Sequence, residues 1–224
     1  VTSTVSSATT HGPPFAADER AVRVSPHADH LADAGVQHQA ARFGMWIFIG
    51  TEAMFFAGLI LLYCAERAVS SSTFEHGIDH SEKLIGTINT FILLASSFVV
   101  AAGVHGARLG HRKIAATLST LAALCGVAFL VLKLVEYGKH IGEKLLPGAL
   151  IDVEHGGSAF WTLYWVLTGF HAVHVAVGAG VLAVAGVGVA RGGAGRALEG
   201  AALYWHFVDV VWIVLWPLFY LVRA

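Results

Sequence analysis

Two pairs of ionisable residues interrupt long apolar runs in the second half of the chain. His171 and His174 are three positions apart, and so are His206 and Asp209. At that spacing the two side chains of each pair project from one face of a helix, and helix bundles build dinuclear metal sites from such faces. The usual Glu-x-x-His repeat is missing, and the carboxylates are few. We therefore predict interhelical hydrogen bonds, with intramembrane metal binding as the alternative.

Glu52 is the clearest isolated acid. It lies ten residues after Arg42 and is flanked by Trp46, Phe48 and Phe56. In a membrane-spanning helix this places the carboxyl about 15 Å deep, where hydrocarbon favours the neutral acid. Two interpretations stay open: a proton-linked carboxyl, or a structural acid that is hydrogen-bonded to a neighbouring helix.

Lys133 and Glu136 repeat the three-residue spacing and are followed by Tyr137. Near a membrane surface such a pair can neutralise itself, while the long Lys133 side chain extends towards the headgroups. Contact of this pair with a lipid headgroup is the functional alternative.

The composition says which element must carry these side chains. The chain has 224 residues, of which 13% are charged and 56% are hydrophobic, and its mean hydropathy is +0.67. So few charges cannot cover the surface of a soluble enzyme, and so apolar a chain is not disordered along most of its length. The net charge of −1 offers no basic face for nucleic acid.

Five apolar runs are long enough to cross a membrane as helices. They cover residues 43–65, 84–104, 114–137, 160–190 and 201–222. The predicted fold is therefore all-α: a polytopic membrane protein with five transmembrane helices. Residues 1–41 are polar and contain three prolines, which predicts a flexible N-terminal arm before a membrane domain at 42–224. Lys and Arg are more numerous on the side of that arm, which places the N-terminus in the cytoplasm and the C-terminus outside.

Five segments resemble, in order, parts of subunit III of the haem-copper oxidases. They are RFGMWIFIGTEAMFF from Arg42, NTFILLASS from Asn89, the pair Glu136–Tyr137, TGFHAVHV from Thr168, and YWHFVDVVW from Tyr204. The matches are collinear and cover residues 41–222. The resemblance is to the short, five-helix form of the family, since seven-helix members have two further helices where this chain has the polar arm.

This resemblance implies a non-catalytic subunit III of a proton-pumping aerobic terminal oxidase, a cytochrome c oxidase of the bacterial cytoplasmic (inner) membrane. It implies no catalytic residue, metal ligand or redox centre in this chain. Haem and copper are expected in partner subunits I and II, cytochrome c as the donor to the complex, and phospholipid as a bound ligand. The subunit would pack on subunit I and support proton uptake and turnover stability.

The resemblance also implies roles for individual residues. Glu52 matches the buried, proton-linked carboxyl of the family. The lipid-binding or helix-tying positions are matched by Glu136, His171, His174, His206 and Asp209.

Other functions stay open at this stage. Within the family they are subunit III of a quinol oxidase and the accessory subunit of a nitric oxide reductase. From different classes come a free-standing membrane metalloenzyme that uses His171, His174, His206 and Asp209, and a proton-coupled carrier that works through Glu52. A carrier of that kind predicts broken helices and paired half-repeats, and the sequence offers neither.

Overall fold

Long helices make up nearly all of the described chain. The computed structural model describes residues 34–147, 157–193 and 195–221, and no strand occurs in these ranges. The helices are α1 (Ala34–Val69), α2 (Ser71–Asp79), α3 (Lys83–Arg108), α4 (Arg112–Gly142), α5 (Gly157–Ala190) and α6 (Arg196–Tyr220). All except α2 are long and apolar enough to cross a membrane. The prediction of an all-α polytopic membrane protein is confirmed.

Among the described residues, each predicted span lies inside one long helix, apart from Leu221 after the end of α6. The helix continues beyond the apolar run in most cases: α1 begins at Ala34, and α4 extends to Gly142. Helical hydrogen bonds are local, so the backbone stays helical through polar residues at the membrane surface. Hydropathy therefore locates the spans better than it locates the helix ends.

The chain divides into two units, Val1–Ala41 and Arg42–Ala224. In the first unit, residues 34–41 are the opening turns of α1, although the sequence predicts them as part of the arm. Residues 1–33 lie outside the described residues, so the flexible cytoplasmic arm stays a prediction.

The short helix α2 is absent from the sequence-based prediction. Its nine residues are too few for a hydropathy signal, but Phe74, Gly77 and Ile78 are buried at i, i+3 and i+4. Gly77 lies so close to the ring of Phe160 on α5 that an added Cβ would overlap the ring, which leaves no room for a side chain. This amphipathic spacing is the signal that predicts a helix lying against the end of the bundle.

Three helices end in the same reversed turn, in which a residue with positive φ allows the backbone to hydrogen-bond back onto the last turn. Gly110 after α3 and Gly192 after α5 have φ of 80° and 95°. After α4 this position is occupied by Lys144, with φ of 60°, and Leu145 N–H bonds to the His140 carbonyl at 2.9 Å. A side chain therefore occupies a conformation that favours glycine.

Trp205 of α6 is a fully buried member of the hydrophobic core. A Cβ added at Gly126 of α4 would lie 2.6 Å from its indole ring, and one at Gly178 of α5 would lie 2.8 Å away. The indole N–H donates to Ser96 Oγ of α3 at 3.0 Å. One large side chain thus contacts three neighbouring helices, because two glycines make room for it.

Aromatic side chains join α1 to α5 and α6. The ring pairs are Phe55–Phe170 at 5.1 Å, Phe56–Phe207 at 6.5 Å and Tyr63–Phe219 at 5.0 Å. The Tyr63 hydroxyl also donates to the Leu218 carbonyl at 2.6 Å. This packing places the middle of α1, with Glu52, beside α5.

Candidate functional site

A fully buried ion pair joins α4 to α5 and α6. Lys133 Nζ lies 3.1 Å from Glu136 Oε2, and the two side chains are 2% and 0% exposed. The ammonium group also donates to the hydroxyls of Tyr164 and Tyr220, at 2.9 and 2.8 Å. Both hydroxyls in turn donate to Glu136 Oε1, at 2.7 and 2.6 Å. All four side chains are therefore satisfied, and the cluster carries no net charge.

The expectation that Lys133 extends towards the membrane surface is wrong. Its ammonium group points into the bundle, where it donates hydrogen bonds to the Glu136 carboxylate and to the hydroxyls of Tyr164 and Tyr220. Three acceptors at hydrogen-bond distance replace the water that a snorkelling lysine would seek. Glu136 thus lies in a contact among three helices.

Glu52 forms its hydrogen bond across the contact between α1 and α5. Its Oε2 lies 3.0 Å from His174 Nε2, and the side chains of Glu52 and His174 are 24% and 15% exposed. The other ring nitrogen, Nδ1, lies 2.7 Å from the Phe170 carbonyl oxygen. A carbonyl only accepts, so Nδ1 carries a hydrogen atom.

This tautomer leaves one proton to be shared between Glu52 and His174. Either the neutral acid donates to an unprotonated Nε2, or a histidinium donates to a carboxylate. The pair has no net charge in both forms, which makes it compatible with the membrane interior. Glu52 is thus hydrogen-bonded to a neighbouring helix, and the sequence alone does not identify His174 as its partner.

His171 points away from His174 and into the bundle. Its ring is buried, stacks on Trp212 at 5.1 Å and meets Phe129 edge-on at 5.6 Å. Neither ring nitrogen has a hydrogen-bond partner among the described residues. The two histidines of the HxxH segment therefore contact different neighbours.

His206 and Asp209 both face α3 but differ in their contacts. His206 Nδ1 is 2.6 Å from Ser97 Oγ, a bond that ties α6 to α3. Asp209 is buried, and its two carboxyl oxygens have no hydrogen-bond partner within the described part of the chain. Ser97 is a member of this group that the sequence analysis does not single out, since serine is common in membrane helices.

A metal site is not assembled from these side chains. In residues 34–147, 157–193 and 195–221 no three His, Cys, Asp or Glu side chains lie close enough to bind a metal ion together. His171 and His174 instead contact different helices, and in the second pair only His206 forms a hydrogen bond to α3. The geometry gives no support to the metalloenzyme alternative.

The class of protein that these features define is a multi-pass helical membrane protein whose polar side chains bond helices to each other. A family model provides the next step. The model for cytochrome c oxidase subunit III matches residues 27–223, and the chain belongs to this family of haem-copper oxidase subunits.

Individual relatives agree with the family match. Cytochrome c oxidase subunit 3 of Corynebacterium diphtheriae is 33% identical over 190 residues, which cover 80% of this chain and 87% of the relative. The corresponding protein of Synechocystis is 34% identical, over 80% of this chain and 74% of its own length. Quinol oxidase subunit 3 of Bacillus subtilis is 29% identical, over 87% of this chain and 96% of the relative. The chain is thus subunit III of a haem-copper oxidase, part of an oxidoreductase complex.

Proposed function

We propose that this chain is the non-catalytic subunit III of a proton-pumping cytochrome c oxidase, and that it packs on subunit I through the face that carries Glu52 and His174. The family match supports the oxidase assignment, and the partial exposure of this pair carries the proposed packing face. Glu52 is near the middle of the apolar segment Gln39–Val69, and His174 is near the middle of α5. Both groups therefore lie at the depth of the bilayer core.

Polar groups at that depth are costly when they face lipid, and they ordinarily face protein or water. The Phe56 ring packs edge-on against His174 at 5.1 Å, and the pair stays partly exposed. A helix of a partner subunit would cover the exposed part. Such a helix would come from another oxidase subunit, because members of this family work within a multi-subunit oxidase.

The remaining parts of the proposal rest on the resemblance to subunit III of the haem-copper oxidases. Subunits I and II would hold the haem and copper, cytochrome c would donate electrons to the complex, and the complex would lie in a bacterial cytoplasmic membrane. Subunit III would support proton uptake and turnover stability, with Glu52 as its proton-linked carboxyl. The helix-to-helix bonds of Glu136, His174 and His206 support a helix-tying role, while bound phospholipid rests on the resemblance.

Isolation of the complex through a tag on this chain tests the proposal. We expect haem, copper and subunits I and II to co-purify, and the preparation to consume oxygen with reduced cytochrome c. A preparation without haem, copper or oxygen consumption would contradict it. The second candidate, a quinol oxidase, is favoured by the Bacillus relative, and it predicts oxidation of quinol in place of cytochrome c.

Photo-crosslinking tests the proposed face. A benzophenone side chain at Phe55, one turn after Glu52, should crosslink to subunit I in the membrane. The control position is Leu134 on α4, which is more exposed than Phe55. Equal crosslinking from both positions, or none to subunit I from Phe55, would remove the α1–α5 face from the proposal.

A further inference from the structure

Asp209 is an unpaired acid in the middle of α6. It is 3% exposed, and none of the ion pairs within residues 34–147, 157–193 and 195–221 includes it. It lies thirteen positions after Arg196 and eleven before Tyr220, which places it roughly 20 Å and 16 Å from the helix ends. Since the side chain is buried within this chain, a cation of a partner subunit does not reach it from the surface.

Burial without a cation determines the protonation state that the structure supports. An ionised carboxyl that is neither paired nor hydrogen-bonded is strongly disfavoured in an apolar interior, so such a group binds a proton instead. A neutral Asp209 then carries an O–H group that requires an acceptor.

The Ser97 hydroxyl of α3 lies near the Asp209 carboxyl, although no hydrogen bond joins the two groups in this arrangement. The same hydroxyl lies 2.6 Å from His206 Nδ1, and His206 precedes Asp209 by three residues on α6. His206 thus bonds to the Ser97 hydroxyl, and Asp209 lies on the same face of α6 as His206. Asp209 is buried, whereas Ser97 and His206 are half-buried and reach the bundle surface.

We propose that Asp209, Ser97 and His206 form a proton-exchange unit, in which Asp209 holds a proton inside the bundle and Ser97 connects it to His206 at the surface. In the forward step the Asp209 O–H bond breaks and its proton binds Ser97 Oγ, while the Ser97 hydroxyl proton passes to His206 Nδ1. The products are an aspartate, an unchanged serine and a histidinium.

The unit returns to its neutral form in either of two ways. The reverse step transfers the proton back through Ser97. Alternatively, His206 releases its Nε2 proton to a water molecule at the bundle surface, and a proton from water later returns through His206 and Ser97 to Asp209. Because the charge-separated form is costly in this interior, it is short-lived. This site is separate from the Glu52–His174 pair, and it depends on the membrane-spanning fold but not on which donor reduces the oxidase.

Infrared spectroscopy of the complex isolated through this chain tests the proposal, with aspartate labelled at its side-chain carboxyl to identify the band. We expect a carbonyl-stretch band of a protonated aspartic acid that the D209N variant lacks. Transfer of the complex to deuterated buffer should shift this band. The rate of that shift reports proton exchange at Asp209.

Three serine variants separate an exchange role from a structural one. Ser97→Ala should keep the band and slow its shift at least about tenfold, since a positioned relay group is lost. Ser97→Thr retains the hydroxyl and should restore the rate. Ser96→Ala is the matched control, because its hydroxyl bonds to Leu93 and Trp205, and it should exchange at the wild-type rate.

Two results would overturn the proposal. Loss of a carboxylate band in D209N, with no protonated acid in the wild type, would mean that Asp209 is ionised. A wild-type exchange rate in Ser97→Ala would mean that the proton does not pass through this hydroxyl. If D209N does not assemble, the labelled wild-type band and the serine variants still decide between these outcomes.

Discussion

At the scale of single residues, the bundle interior is held by polar contacts that have no access to water. Glu136 is the central acceptor of one such contact, since Lys133, Tyr164 and Tyr220 all donate to it. Removing one charge of a buried pair leaves the other uncompensated, and that is more damaging than removing both. The Lys133–Glu136 pair is therefore best tested by comparing single and double substitutions.

We predict that Glu136→Gln destabilises the subunit by about 3–5 kcal/mol, because the Lys133 ammonium is left buried without a counter-charge. The double variant Lys133→Met/Glu136→Gln should recover part of this loss. The measurement is the temperature at which half of the detergent-solubilised subunit remains folded. If the stability loss of the double variant equalled the sum of the losses of Lys133→Met and Glu136→Gln, charge pairing would not be the cause.

Glu52→Gln tests the proton shared with His174. A neutral amide keeps a donor within reach of His174 Nε2, so we expect the subunit to assemble at the wild-type level, with altered proton uptake or a shorter lifetime of activity. Glu52→Leu is the control that removes the hydrogen bond. If Glu52→Gln abolished assembly, the pair would have to be a carboxylate and a histidinium.

At this scale the sequence identifies which residues are polar and deep, but not their partners. Spacing predicts that Lys133 and Glu136 interact, and they do. It does not predict Tyr164 or Tyr220, which are 31 and 87 positions from Lys133, because such contacts depend on how separate helices pack. The same limit applies to Ser97, which acquires significance only through its distance from His206.

At the scale of the helices, close approach depends on a few positions without side chains. Gly126→Ala should cost about 1–3 kcal/mol, because the added methyl overlaps the Trp205 ring in a packed interior. Gly138→Ala, on the same helix with open space around it, should gain about 0.5–1 kcal/mol from helix propensity. Thermal unfolding of the Gly126→Ala and Gly138→Ala variants measures both effects. Equal changes in stability would show that contact with Trp205 is not what requires glycine at position 126.

The end of α4 allows a stabilising substitution. Lys144 is exposed and has a left-handed φ of 60°, so Lys144→Gly should gain about 1 kcal/mol. The neighbouring Glu143 has φ of −84°, and Glu143→Gly should give no gain. Thermal unfolding distinguishes the two, and a gain at Glu143 alone would contradict the conformational explanation.

Neither helix α2 nor the end of α4 is predicted from the sequence, and each has a local cause. Hydropathy detects long apolar runs, and therefore finds α1 and α3–α6 but not the nine residues of α2. Glycine after a helix predicts the ends of α3 and α5, whereas Lys144 provides no such signal. The helices are thus predictable from average composition, while their ends and short neighbours depend on individual contacts.

At the scale of the whole molecule, the fold divides charged residues between two membrane surfaces. The turn between α3 and α4 is flanked by Arg108, Arg112 and Lys113, and the turn between α5 and α6 by Arg191 and Arg196. An even number of crossings separates these turns, so they lie on one side of the membrane. Their cations predict that this side is cytoplasmic.

Thiol labelling in cells tests this orientation, in a background with Cys64→Ser and Cys125→Ala. A membrane-impermeant maleimide should label Lys144→Cys after α4 from outside and leave Lys113→Cys at the start of α4 unlabelled. The two positions lie 31 residues apart in sequence and are both exposed, so their difference reports sidedness. Inverted membrane vesicles should reverse the pattern. Labelling of Lys113→Cys from outside would place the basic turns on the outer surface and contradict the predicted topology.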